Sequence, residues 1–203
     1  MLYTKVPPIH SIAPMRKLSP LAIVGIIVAL LILWLIVSYN GLVGSKAAVD
    51  ARWADVQSQY QRRVDLVPNL VATVKGAAKF EQETFQEVTA ARSAWAAAAS
   101  VNDRGQQIQA ANTFDSALSR LLVTVEAYPQ LKATQAFQDL MTQLEGTENR
   151  IAVARRDFNG AVQSYNVRVQ RFPSAMVARL FGFSAEKFFE AQAGSDRAPS
   201  VNF

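Results

Sequence analysis

The chain has 203 residues, half of them hydrophobic and only 18% charged, so it can bury a core and is not a disordered polymer. It contains no cysteine, which excludes disulfides, thiolate nucleophiles and cysteine-bound zinc, and its single histidine, His10, lies in the N-terminal tail. The net charge of +5 does not mark a nucleic-acid-binding domain. Three of the 21 basic residues (Lys5, Arg16 and Lys17) precede residue 20, leaving 18 basic against 16 acidic residues in the remainder.

Leu21 to Val37 is a run without a polar side chain, and Leu18, Ser19 and Pro20 extend it to twenty residues. As a helix, twenty residues span about 30 Å, the hydrocarbon thickness of a bilayer. Trp34 and Tyr39 stand near one end, where amphipathic rings favour the interface. A cleaved signal peptide would have a shorter apolar core and an A-x-A-like site, and Ser38-Tyr39-Asn40-Gly41 supplies none. Residues 18–38 are therefore predicted as a retained transmembrane helix in contact with lipid, behind a basic tail of residues 1–17. The tail carries three basic side chains, whereas Lys46 and Arg52 alone follow closely after the span. The positive-inside rule then puts the N-terminus in the cytoplasm and the rest of the chain outside a bacterial inner membrane.

Beyond Val37 only Pro68, Pro129 and Pro173 interrupt the chain before Pro199, and good helix formers dominate. The fold class is all-α. A first seam alternates steps of four and three through Val49, Trp53, Val56, Tyr60, Arg63, Val67, Leu70, Val74 and Ala77. Its phase survives Pro68, which predicts one kinked helix rather than two. Two shorter helices are expected over Glu81–Ala99, with Phe85, Val88, Arg92 and Trp95 on one face, and over Ile108–Tyr128. The polar turn Ser100–Gly105 separates them, and Pro129 ends the second. A last helix, Leu131–Arg171, repeats Phe137, Leu144, Ile151, Phe158, Tyr165 and Phe172 every seven residues, with Met141, Glu148, Arg155, Val162 and Val169 between them.

The lengths predict an elongated antiparallel four-helix bundle over residues 39–173, built from two long and two short helices. The short pair reaches only the half far from the membrane. In the near half, Val49, Trp53 and Val56 facing Phe158, Val162 and Tyr165 would form a two-helix stalk with uncovered apolar stripes. The C-terminal segment, a second copy or a partner must cover them. Residues 174–203 carry Phe181, Phe183, Phe188 and Phe189 and are expected to pack on the bundle, with a short helix over 185–191 after a turn at Gly182. Docking of these rings on a neighbour is the alternative.

Arg62-Arg63-Val64-Asp65-Leu66-Val67-Pro68-Asn69-Leu70-Val71, followed by Thr73-Val74-Lys75-Gly76-Ala77-Ala78, resembles the signature of the LemA family of bacterial membrane proteins. Glu126-Ala127-Tyr128-Pro129, Glu148-Asn149-Arg150-Ile151-Ala152, Tyr165-Asn166, Phe172-Pro173 and Leu180-Phe181-Gly182-Phe183 follow in register, so the resemblance covers residues 18 to 203. It departs at Phe158-Asn159, where Tyr-Asn is expected, and in the longer tail before residue 18. The resemblance implies a single N-terminal anchor and a helical bundle, and it implies no catalytic activity.

Charged residues on the seams are the candidate site. Arg63 on the first long helix and Glu148 and Arg155 on the last are predicted to meet in a buried or half-buried ionic cluster, with Asp65 and Asn159 as outer members, beside the Pro68 kink. Such a cluster would fix register, or it would bind a ligand or partner. Glu81, Glu83 and Glu87 do not make a metal site, because 81 and 83 point to different faces and no histidine joins them. No catalytic, cofactor or metal residue is assigned, since no serine has a recognisable base. The expected function is a non-enzymatic interaction or scaffold protein of the cell envelope, self-associating or bound to another envelope membrane protein, and not to nucleic acid. A sensor domain that binds a small ligand and signals through the anchor is the alternative.

Overall fold

The computed structural model describes residues 19–75, 82–101 and 103–190. All of its regular elements are helices: α1 (Pro20–Lys75), α2 (Gln82–Ala99), α3 (Arg104–Val125), α4 (Pro129–Lys132), α5 (Gln135–Gln170) and α6 (Ser174–Leu180). The expected anchor and first bundle helix are one element. At 1.5 Å per residue the 56 residues of α1 extend about 84 Å, with the apolar run at one end and the bundle core at the other. Pro68 removes one main-chain hydrogen bond, yet the helix is not divided there, because Val64, Val67, Leu70 and Val74 on either side are buried in the same core. Ala77, placed last on this seam, and Glu81 lie outside the described residues.

α2 folds back along the far half of α1, α3 returns, and α5 descends the full length of the bundle to the apolar end of α1. Val49, Val56, Tyr60, Val67, Leu70 and Val74 of α1 meet Val88 and Trp95 of α2, Phe114, Leu118 and Leu121 of α3, and Ile151, Phe158 and Val162 of α5 in one continuous core. The α2–α3 connection is shorter than the sequence suggests. Asp103 caps α3 by accepting a 3.1 Å hydrogen bond from the Gln106 amide, so helix begins at Arg104 inside the expected turn. α3 ends at Val125, and Pro129 opens the single-turn α4 instead of merely closing its predecessor.

Two expectations are corrected by the packing. In the far half of α5 the core positions between Phe137, Leu144, Ile151 and Phe158 are Leu140, Thr147 and Ala154, one residue before Met141, Glu148 and Arg155. There α5 packs on α1 and α4 and reaches α3 through Arg155, so its apolar stripe is wider than a two-helix seam and its charged residues stand on the flank. The seam returns to the expected register at Val162 and Tyr165, where α1 is the main neighbour. The second correction concerns the C-terminal segment. Its helix is α6, at residues 174–180, and residues 183–190 contain no helix.

Residues 183–190 instead form a strap over the near half of the α1–α5 pair. The predicted stalk residues Val49, Trp53, Val56, Phe158, Val162 and Tyr165 are all buried. Phe189 fills the gap among them, with its ring 6.2 Å from both Trp53 and Tyr60, and Phe183 packs on the core edge beside Tyr39. Phe181 touches Tyr39 at 4.8 Å but remains half exposed, as does Phe188.

Candidate functional site

The charged residues of the two long helices converge on a residue from a third. Asp115 is one turn beyond Ala111 on the buried side of α3, which brings its carboxylate between α1 and α5. It accepts hydrogen bonds from the Tyr60 hydroxyl (2.8 Å), from Arg63 Nη1 (3.0 Å) and from Arg155 Nη2. Arg63 also pairs with Glu148 at 2.6 Å, so one guanidinium bridges carboxylates from α3 and α5. Glu148 lies at the rim and is half exposed, whereas Arg63 is buried. Two guanidiniums and two carboxylates give a formally neutral cluster.

Burial dominates its electrostatics. Loss of water pushes the Asp115 carboxyl up to about 7, against the opposing pull of the Arg63 charge and with help from Glu148. Burial likewise draws Arg155 down to about 10, so Arg155 stays charged at neutral pH.

Arg155 links this cluster to the strap. Its guanidinium lies 4.3 Å from the Phe189 ring centroid and 5.3 Å from that of Tyr60, within the range of cation–π attraction. Phe189 is in turn fixed through its main chain: the Asn159 side-chain amide donates to the Phe189 carbonyl at 3.0 Å and accepts from the Phe189 N–H at 2.8 Å. One heptad along α5, Asn166 makes the same reciprocal pair with the Glu186 main chain, at 2.9 and 2.8 Å. Seven helical residues rise about 10.5 Å and three extended residues about 10 Å, so two asparagines seven apart match strap residues three apart. Each amide does for the strap what a neighbouring strand would do in a sheet.

A second charge group holds the strap from the other side. Glu186 pairs with Lys46 of α1 and with Arg104 Nη1 of α3 (2.6 Å), and Arg104 continues to Asp50 (2.7 Å). The Arg104 guanidinium also stands 5.7 Å from the Trp53 and Phe158 ring centroids. Between the two groups, Gln107 accepts from Trp53 Nε1 at 2.6 Å and from Gln57 at 3.1 Å, and donates to the Val101 carbonyl at 2.6 Å.

The structure thus brings Arg63, Glu148, Arg155 and Asn159 into one connected region, Asn159 through the strap and not through a charge. Asp65 is not part of it. It is on the exposed face of α1 and accepts from Gln61 at 2.8 Å, because residue 65 is two positions past Arg63 and therefore on another side of the helix. Pro68 lies further along the same exposed face. Tyr60, Asp115, Lys46, Arg104, Asn166 and Glu186 were not identified from the sequence. Asp115 has one signal that could have found it: an acid at a position where Ala111, Phe114, Leu118 and Leu121 mark the buried face of α3.

Among the described residues, no Asp, Glu or His side chains gather in a set that could hold a metal ion. Glu87 pairs with Arg120 across α2 and α3 at 3.1 Å, at one end of a cleft of about 1120 Å³. Ala90, Ala94, Ile108 and Asn112 line its walls, and Phe188 of the strap borders it.

The chain is similar to the magnetosome protein MamQ 1 of Paramagnetospirillum magneticum, 26% identical over 212 aligned residues covering 93% of this chain and 75% of that protein. MamQ of Magnetospirillum gryphiswaldense is 26% identical over 90% of this chain and 74% of its own length. Protein LemA of Metamycoplasma hominis is 24% identical over 67% of this chain and 61% of its own. The LemA family model matches residues 52–203, from the near half of α1 through the strap. Three quarters of the sequence, including every residue of both charge groups except Lys46 and Asp50, fall within that match: the chain belongs to the LemA family.

Proposed function

We propose that this protein is a single-pass envelope membrane protein whose bundle is a non-enzymatic interaction module, held at a fixed distance from the bilayer and on its outer side. The carrying observation is the unbroken α1, which joins the lipid-compatible stretch to residues that form the bundle core. A flexible linker would let the bundle roam, whereas a continuous helix holds it at one height above the bilayer. The charged side chains already described pair with one another through their guanidinium Nη atoms and anchor the strap, so they read as structure and leave the outer faces of α2, α3 and the strap for contact with a second copy or another membrane protein.

The test is in-cell crosslinking and mass spectrometry on the full-length protein, following Lys46, Lys132 and Lys187. Reproducible links to one other membrane protein support an adaptor, and links between copies support a self-assembled scaffold. Finding neither defeats both forms of the reading. The sensor reading is favoured by one observation, the cleft between α2 and α3, whose size suits a small organic ligand. A ligand bound there only in the folded state would raise the melting temperature of the full-length protein.

A further inference from the structure

α6 turns back onto α1 at an unexpected level. Val177 and Ala178 are buried against Leu42, and Trp34 and Leu35 pack on the same small cluster. Trp34 and Leu35 belong to the apolar run that ends at Val37, so α6 lies beside the end of the stretch assigned to the bilayer and not beside the bundle core. From Trp34 to Leu42 is about 12 Å along the helix axis, enough to run from the edge of the hydrocarbon through a headgroup layer of about 5–8 Å.

The outward side of this element is apolar. Met176 and Leu180 of α6 and Phe172 in the turn before it are 61%, 72% and 76% exposed, with half-exposed Phe181 following. In water such a patch is a liability, and among the described residues this one lies at the membrane end of the bundle. The charge pattern is equally one-sided. From Phe158 to Ala185 the chain carries Arg168, Arg171 and Arg179, all exposed, and no acidic residue. Apolar side chains aimed outward at the level of a membrane span, flanked by guanidiniums, are the composition of an interfacial helix.

We propose that the α5–α6 corner is a second membrane contact: Phe172, Met176 and Leu180 enter the headgroup–acyl boundary, and Arg168, Arg171 and Arg179 meet anionic headgroups. This rests on α1 being the membrane anchor. α6 then does more than close the stalk. With α1 through the membrane and α6 lying at its surface, the bundle is fixed in tilt and rotation, which a single span leaves free.

The sequence has no cysteine, so single-cysteine variants of the full-length protein take one nitroxide label each. Labels at Met176→Cys and Leu180→Cys are compared with Leu33→Cys in the apolar run and with Val123→Cys, exposed on α3 far from the membrane. Power-saturation spectra are recorded in phosphatidylcholine–phosphatidylglycerol nanodiscs, with oxygen as the lipid-phase relaxer and a nickel chelate as the aqueous one. The expected result is a several-fold lower nickel accessibility at 176 and 180 than at 123, with oxygen accessibility raised towards that at 33. Nickel accessibility at 176 and 180 equal to that at 123, while 33 reads as lipid, overturns this inference alone. Low accessibility to both relaxers at 176 and 180 means that protein, such as a second copy, covers the patch, and overturns it too. A water-like label at 33 overturns the anchor and this inference together.

Discussion

The two halves of the bundle solve the same burial problem with different chemistry. Far from the membrane, four helices enclose Val67, Leu70, Phe114, Leu118, Leu121 and Ile151, and periodic apolar side chains suffice. Near it, α3 reaches only as far as Arg104 and Gln107 beside Trp53, and α1 and α5 cannot cover each other's stripes. The missing wall there is a segment without helix, whose few aromatic side chains fill the gap while its main chain must be hydrogen-bonded some other way. Asn159 and Asn166 supply those bonds from the helix itself. A helix pair can therefore accept a strand-like third layer when its side-chain amides are spaced to the strand's rise.

The sharpest way to break this comparison is at Phe189. Its ring occupies space enclosed by Trp53, Tyr60 and the Arg155 guanidinium, so Phe189→Ala should leave a cavity that nothing nearby can fill. The expected loss is about 3–5 kcal/mol, the usual range for truncating a buried phenylalanine. Val123→Ala, on an exposed face of the four-helix half, should change stability little. Chemical denaturation of the full-length protein in detergent checks both, and an equal effect at the two positions would remove the special role given to the strap.

A smaller effect is expected at the amides. Asn159→Ala removes two hydrogen bonds and leaves the Phe189 N–H and C=O without partners in a half-buried place, at about 1–3 kcal/mol. Asn159→Asp keeps the acceptor for the Phe189 N–H but turns the donor into an acceptor facing the Phe189 carbonyl, so it should cost at least as much as Asn159→Ala. Hydrogen exchange at residues 185–190 is the direct readout, since release of the strap speeds exchange there before the far half is affected.

How much of this was visible beforehand follows the same division. The far half is periodic, so the positions of α1, α2, α3 and α5 and most of their buried faces could be read from hydrophobic spacing. Local chemistry shifted their ends, as when Asp103 starts α3 inside an expected turn, and on α5 the interleaved core positions fall one residue before those the seam predicts. The near half is not periodic. Phe183 and Phe189 advertised burial, but a helix was expected at residues 185–191, because Ala185, Glu186, Ala191 and their neighbours have good helix propensity and nothing local says that Asn159 and Asn166 offer an extended backbone better partners. Arg63, Glu148 and Arg155 were conspicuous as charges on apolar stripes. Asp115 was not, because a lone acid on a mostly polar helix looks like a solvated residue until the helix is packed.

Asp115 also lets pH probe the junction of the two halves. Its carboxyl is raised in the folded protein from an ordinary value of 3.8 to about 7, so between those values the folded state holds a proton that the unfolded chain has released. Stability from this group is therefore greatest below about pH 4, declines as pH rises towards 7, and is level above that. Other carboxylates contribute in the opposite direction, so the observable is a difference: the melting temperature of the natural protein minus that of Asp115→Asn should fall from pH 5 to pH 7 and then stop changing. A difference that rises over this interval would mean that Arg63 and Arg155 outweigh burial and keep Asp115 ionised.

The smallest effect should come from Glu148. It pairs with buried Arg63 at 2.6 Å, but half of its surface faces water and Asp115 remains as a second partner for the same guanidinium. Glu148→Ala should accordingly cost no more than about 1 kcal/mol, the range of an exposed ion pair, and high salt should shrink the difference further. In the Asp115→Asn background Arg63 has no other carboxylate, and the same Glu148→Ala change should become more costly. Four melting curves complete that double-mutant cycle. Simple additivity would show that the two carboxylates act on Arg63 independently, and would remove the reading of Asp115 and Glu148 as alternative partners for one guanidinium.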